Sequence, residues 1–277
     1  MIKCIVDSAE GATRSGRSFI SFYQMQEILK KRWKMYQRKF LRPFLFLMGS
    51  IVGTPFHAIH AQQNLTIKES VKPIRIICLG DSITKGVRPG VTSEQTFEAI
   101  LQARFQDPKK PVEILNAGIG SERTDQALIR LESDIISKKP VIVTIMYGAN
   151  DSYIDIGKTE PRLSEMQFRN NLMEIVERLQ KAKVQVILMT EPRWGAEAKS
   201  NGVGDHPNKR MEPFMEIVRE VAREKSTSLV DHYQIWTKKA ANGLDIGTIT
   251  TDQLHPNPLG HKLIAESIEP IFRKLVK

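Results

Sequence analysis

The chain has 277 residues, 41% of them hydrophobic and 26% charged, with a formal net charge of +10. That length exceeds the ~100–200 residues of an average domain but suits one α/β unit behind a leader. The positive balance would suggest a nucleic-acid partner if it were spread over the fold, but ten Lys/Arg against three acidic residues precede Gln62, so the leader carries +7 and the rest only +3. No nucleic-acid partner is therefore expected.

Segment 1–61 reads as a leader. A basic run from Lys30 to Arg42 is followed by the short apolar core Phe44 to Gly53 and then by Ala61, the order of a secretory signal peptide. The core is shorter than the roughly 20 residues that span a bilayer, so cleavage and a secreted or periplasmic product are expected, without stable membrane insertion. Residues 1–34 carry no motif, and Met35 would begin a signal peptide of ordinary proportions. Cys4 and Cys78 are the only cysteines. With Cys4 in the leader, neither a disulfide nor a thiol metal site is expected in residues 62–277.

Beyond Gln62, apolar runs alternate with longer amphipathic segments. Strands are expected at Ile74 to Leu79, Val112 to Leu115, Val141 to Tyr147, Val184 to Met189 and Ser228 to Val230, because continuous β-branched runs of this length suit buried parallel strands. Helices are expected near Glu94 to Phe105, Thr124 to Ser137, Gln167 to Ala182, Lys209 to Glu224 and Pro258 to Leu275. Asn257 is placed to cap the last of these, and Leu259, Leu263, Ile264, Ile268, Ile271 and Leu275 to form its packed face. Such alternation implies a three-layer α/β/α, flavodoxin-like domain with a five-stranded parallel sheet.

Open sheets of this kind do their chemistry at the carboxyl edge of the strands. The first strand ends in Gly80-Asp81-Ser82, the second in Asn116-Ala117-Gly118-Ile119-Gly120-Ser121, and the third in Gly148-Ala149-Asn150-Asp151. The region after the fifth contains Asp252-Gln253-Leu254-His255. Serine-dependent ester hydrolysis needs a base near the hydroxyl, an acid to hold the base, and donors for an oxyanion. Ser82 as nucleophile, His255 as base, Asp252 as its partner and the Asn150 amide with backbone N–H groups supply every type. Asp231-His232 is a competing acid and base pair, but adjacent residues at a strand end point apart. Asp151 is expected to brace the Asn150 turn, and His261 to lie on the surface of the last helix.

These blocks, in this order, resemble the SGNH hydrolase superfamily of GDSL esterases and lipases. The resemblance runs from Ile74 to the final helix and implies a Ser82-His255-Asp252 triad. It also implies an oxyanion hole from the Ser82 N–H, a backbone N–H of the second block and the Asn150 side chain. Relatives commonly read Asn-x-Gly-x-x-Gly in the second block. Ser121 stands where the last glycine would be, so either Gly120 or Ser121 is the donor. No cofactor and no metal is implied.

Other readings of the same sheet edge are a flavodoxin-like binding module and a metal-dependent deacylase. The first lacks a phosphate-loop spacing after Gly80 and sets Asp81 where phosphate would lie; the second has at most Asp252 and His255 as neighbouring ligands. Loops Lys85 to Thr96, Gly120 to Thr124 and Glu191 to Asn208 are too polar to hold a long acyl chain, which gains ~0.8 kcal/mol per buried methylene only against an apolar wall. A short, acetyl-sized ester of a carbohydrate or another polar alcohol is expected, small or polymeric, with Asp81, Arg193 and Trp194 as candidate substrate contacts. A lysophospholipase or thioesterase with the same triad is the alternative.

Overall fold

A computed structural model describes residues 72–277. The leader expected over 1–61, Cys4 and the domain boundary at Gln62 lie outside the described residues. The strands are β1 Ile74–Gly80, β2 Val112–Gly118, β3 Ile142–Met146, β4 Gln185–Thr190 and β5 Ser228–Asp231. All pair in parallel in the order β2-β1-β3-β4-β5, the flavodoxin-like order. β1 and β3 are buried along nearly their whole length, which is why each appears in the sequence as an unbroken apolar run.

The helices are α1 Ser82–Lys85, α2 Phe97–Arg104, α3 Thr124–Arg130, α4 Glu165–Lys181, α5 Asn208–Glu224, α6 His232–Ala241 and α7 Pro258–Leu275. α3, α4 and α5 pack in a row, while α2 packs on α7. Right-handed crossovers explain this division. The chain moves outward from β1 to β2, then turns back and steps through β3, β4 and β5, so the connections change face at the β1/β3 junction. That junction is the switch point where such sheets open a crevice, and both Gly80-Asp81-Ser82 and Gly148-Ala149-Asn150 emerge there.

Three expected helices differ in detail. The segment expected as Glu94 to Phe105 begins as a 3₁₀ turn, Ser93–Gln95, and restarts at Phe97 because Thr96 is extended. The Thr124 to Ser137 segment is α-helical only to Arg130. A π-turn (Leu131–Ile135) and a 3₁₀ turn (Ile136–Lys138) follow, ending on left-handed Lys139. α7 has its expected bounds and its Asn257 cap, whose side chain accepts from Leu259 N and Gly260 N, but its buried stripe is His261, Ile264, Ala265, Ile268 and Phe272, with Leu259 61% exposed. His261, expected on the surface, is therefore fully buried: its place at i−3 and i−4 from Ile264 and Ala265 puts it on the inner face. α6 had no counterpart among the expected helices.

Candidate active site

Ser82 follows directly from β1 and opens α1. Gly80 allows this sharp exit, since a Cβ there would stand 2.7 Å from Met146 O on β3, and Gly118 lets the backbone of α1 lie against β2. Asp81 caps α1 through Ile83 N at 2.9 Å. The turn after β2 is tied to the same point, with Ile119 N donating to Gly80 O at 3.0 Å.

Across the site, Ser82 Oγ lies 2.8 Å from His255 Nε2. His255 Nδ1 lies 2.8 Å from Asp252 Oδ2 and 3.0 Å from Oδ1. The His255 backbone N–H also donates to Asp252 Oδ1 at 2.9 Å, closing a tight turn in which Gln253 takes φ +72°. This turn sets the imidazole against its carboxylate by local geometry. Arg88, on the loop after α1, donates from Nη2 to Asp252 Oδ2 at 2.6 Å. Nothing in the sequence singled out Arg88, because its partner is 164 residues away.

The electrostatics follow from these contacts. Burial lowers the His255 pKa; Asp252 pulls it back up and Arg88 pushes it down again, and the net direction is downward. Burial alone would raise Asp252, but the His255 backbone N–H, the imidazole and Arg88 outweigh it and hold the carboxyl below its usual range. The imidazole is therefore neutral near pH 7 and the carboxylate charged, the protonation states a general base and its orienting acid require.

Asn150, just beyond β3, is held on both sides. Its Nδ2 donates to Asp81 Oδ2 at 2.7 Å, and its Oδ1 accepts from Arg162 Nη1 at 3.1 Å. One Nδ2 hydrogen is thereby left for another acceptor. Ser82 N, Gly120 N and Ser121 N have no acceptor among the described residues. Ser121 adopts φ +62°, the left-handed conformation that a glycine would take without cost, whereas Gly120 is exposed with nothing near a hypothetical Cβ.

The remaining expected residues divide. Asp81 is fully buried, so it holds Ile83 N and Asn150 and does not face a substrate as the sequence reading had it. Asp151 Oδ1 accepts from Thr124 N and Oγ1 at 2.9 and 2.6 Å, which anchors the start of α3; burial raises its pKa to about 6. Asp231 caps α6 through Gln234 N and pairs with Arg219 at 2.7 Å, while His232 is wholly buried beside it. Their roles are structural.

Trp194 is half-buried and clamped by Asn208, which accepts from its N–H at 2.9 Å and donates to its carbonyl at 3.0 Å. Its ring stacks on Tyr153 with centroids 6.2 Å apart, and Arg162 covers Tyr153 at 5.3 Å. Arg193 and Trp194 line a cleft of about 360 Å³ with Glu197, Leu244, Asp245 and Ile246. The neighbouring Gly195 N donates to Gln253 O at 2.7 Å, so this loop leans on the turn that carries Asp252 and His255. Among the described residues no group of three or more His, Cys, Asp or Glu is arranged to hold a metal ion. Cys78 is buried, with its thiol pushed up to about 12 by desolvation, and is unreactive.

The profile of the GDSL-like lipase/acylhydrolase family matches residues 78–263. An uncharacterised lipoprotein of Bacillus subtilis, YqeF, is 27% identical, aligning over 70% of this chain and 87% of its own. An acetylxylan esterase of Geobacillus stearothermophilus is 26% identical over 70% of this chain and 91% of its own. Among solved structures, the acetyl xylan esterase AlAXEase superposes with a TM-score of 0.61 at 24% identity, covering 72% of this chain and 99% of the other. It shares the α/β architecture described above.

Proposed function

The chain belongs to the GDSL-like lipase/acylhydrolase family and is a carboxylic ester hydrolase; from that premise we propose that it cleaves short-chain, chiefly acetyl, esters of carbohydrates or other polar alcohols, with Ser82 as nucleophile, His255 as base and Asp252 as orienting acid. The observation that carries this reading is the unbroken run Ser82 Oγ, His255 Nε2, His255 Nδ1, Asp252 Oδ2, at 2.8 Å for each hydrogen bond.

In this mechanism His255 Nε2 takes the Ser82 hydroxyl proton as Oγ attacks the ester carbonyl. The Nδ1–H donates to Asp252, which fixes the tautomer and balances the imidazolium that forms. The tetrahedral oxyanion receives the Ser82 N–H, the Ser121 or Gly120 N–H and the free Nδ2 hydrogen of Asn150. His255 then protonates the departing alkoxide, and a water, activated by the same base, hydrolyses the acyl-enzyme. Each donor to the oxyanion is worth ~10²–10³ in kcat in comparable enzymes.

The acyl preference rests on polar loops around the site and on the acetylxylan esterase relative. Arg193 and Trp194, beside the Asp252 turn, are suited to stack on and hydrogen-bond a sugar ring. The leader-like segment 1–61 and the lipoprotein relative support export, with residues 62–277 as the working domain. Among the described residues no helix is long and apolar enough to cross a membrane. A series of p-nitrophenyl esters tests the substrate: kcat/KM should peak between acetate and butyrate. A maximum at eight carbons or longer would replace this reading with a lipid or thioester substrate.

A further inference from the structure

Beside Asp81, the residue before the candidate nucleophile, lies a second acid that the mechanism does not use. Glu191 is the first residue beyond β4 and is fully buried. Its backbone N–H is spent on Met215 Sδ at 3.1 Å, and no N–H or hydroxyl donor among the described residues reaches either of its carboxyl oxygens. What its carboxyl does touch is the carboxyl of Asp81, within hydrogen-bonding range. Two carboxyl groups make such a contact only when one of them holds a proton.

The donors decide which one. Burial raises the Asp81 pKa to about 7, but Asp81 receives Ile83 N at 2.9 Å and Asn150 Nδ2 at 2.7 Å, and both bonds favour its anion. Glu191 receives none, so it keeps the proton and donates it to Asp81. Asp151, the other buried acid nearby, is satisfied by Thr124. Burial, with Asp81 next in weight, raises the Glu191 pKa well above its ordinary range, in the same direction.

We propose that Glu191 is a positioning residue for the oxyanion hole: its protonated carboxyl holds Asp81, and Asp81 aims the Asn150 amide. The chain of contacts is short. Glu191 O–H fixes the Asp81 carboxylate, Asp81 Oδ2 takes one Asn150 hydrogen, and Arg162 holds the amide oxygen so that the group cannot flip. The other Nδ2 hydrogen is then held on one line. The shared proton also spreads the charge of Asp81 over two carboxyls. An unshared anion one residue before Ser82 would oppose the negative charge developing on the substrate oxygen.

The inference rests on the reading in which Asn150 donates to the oxyanion, and a double-mutant cycle separates the two. Rates for an acetate ester are measured per site titrated with a fluorophosphonate, so that misfolded protein is not counted. Glu191→Leu, which keeps bulk but has no donor, should lower kcat about tenfold or more with KM within about threefold. Glu191→Gln, whose amide can donate to Asp81, should recover kcat to within about threefold of the parent. In an Asn150→Ala background, Glu191→Leu should cost less than about threefold. Should the leucine variant fail to fold, Glu191→Asp, which withdraws the donor by one methylene, replaces it in the same cycle. Equal losses in both backgrounds, a loss confined to KM, or a glutamine variant as poor as the leucine would overturn the proposal. If Asn150→Ala itself retains full kcat, the oxyanion reading fails first.

Discussion

Arg88 offers a perturbation whose sign separates electrostatics from loss of packing. Its Nη2 and His255 Nδ1 share Asp252 Oδ2 at 2.6 and 2.8 Å, so guanidinium and imidazolium charges would stand about 5 Å apart. At that distance two like charges repel by ~0.8 kcal/mol in water and by ~3 kcal/mol at an effective dielectric of 20. With side-chain exposures of 26% for Arg88 and 39% for Asp252, solvent screening favours the lower figure. A repulsion of ~0.8 kcal/mol is roughly a fourfold change in the imidazole's protonation equilibrium.

Arg88 lowers the His255 pKa, and the base works when neutral. Removing the charge must therefore raise the pKa and move the acid limb of kcat/KM to higher pH. Arg88→Met should lose about fourfold in kcat/KM below the limb and little on the plateau, whereas Arg88→Lys should leave the limb in place. The assay is a pH profile for p-nitrophenyl acetate from pH 4.5 to 8.5. If Arg88 only steadied Asp252, its loss would weaken the carboxylate's hold on the imidazolium and move the limb to lower pH. A limb that stays put or falls refutes the argument.

Two further outcomes concern stability. His232 is buried with neither ring nitrogen hydrogen-bonded among the described residues, and burial lowers its pKa to about 4; a depressed histidine stabilises the fold above the ordinary ~6.5 and loses that contribution as pH falls toward 4. His232→Leu should therefore gain on the parent, by on the order of 1–3 kcal/mol, when urea unfolding is compared at pH 7 and pH 5; taking the difference removes the opposite trend from Asp81 and Asp151, whose pKa values burial raises, and an equal offset at both pH values would contradict it. Ser121 holds φ +62°, which costs a non-glycine residue ~1–2 kcal/mol, partly offset by the backbone entropy of glycine. Ser121→Gly should raise stability by ~0.5–1 kcal/mol with kcat within about threefold, and a lower unfolding midpoint would remove the strain argument.

The sheet was legible because its inner strands β1, β3 and β4 are buried on both faces, so Ile76 to Leu79 and Ile142 to Met146 carry no alternation to misread. Ser82 and Asn150 stand out as candidates because chemistry-bearing residues break apolar runs at the ends of β1 and β3, whereas Asp252 and His255 lie beyond α6, just before α7, and stand out as an acid and a base close together in sequence. What escaped depends on contacts remote in sequence or on a face misjudged. α6 is short, and its buried His232, Tyr233 and Trp236 follow a strand so closely that Asp231-His232 looked like an edge constellation; the Asp231 cap on Gln234 N was the signal that could have marked a helix start. His261 shares the inner stripe of α7, which lies one position away from the stripe that the apolar Leu259 suggests. Glu191 has the sequence setting of a loop residue, although a carboxylate set directly after an apolar strand at the active edge is costly to bury and calls for a function.

If Ser82 is the acyl-accepting nucleophile, intact-mass spectrometry after fluorophosphonate treatment will read that role out. A single adduct is expected on the folded protein, mapped to the peptide carrying Ser82 and blocked by a slowly hydrolysed acetate ester. A folded Ser82→Ala variant should take no adduct and lose turnover by several orders of magnitude. An adduct on another residue, or near-normal ester hydrolysis by Ser82→Ala, would contradict it.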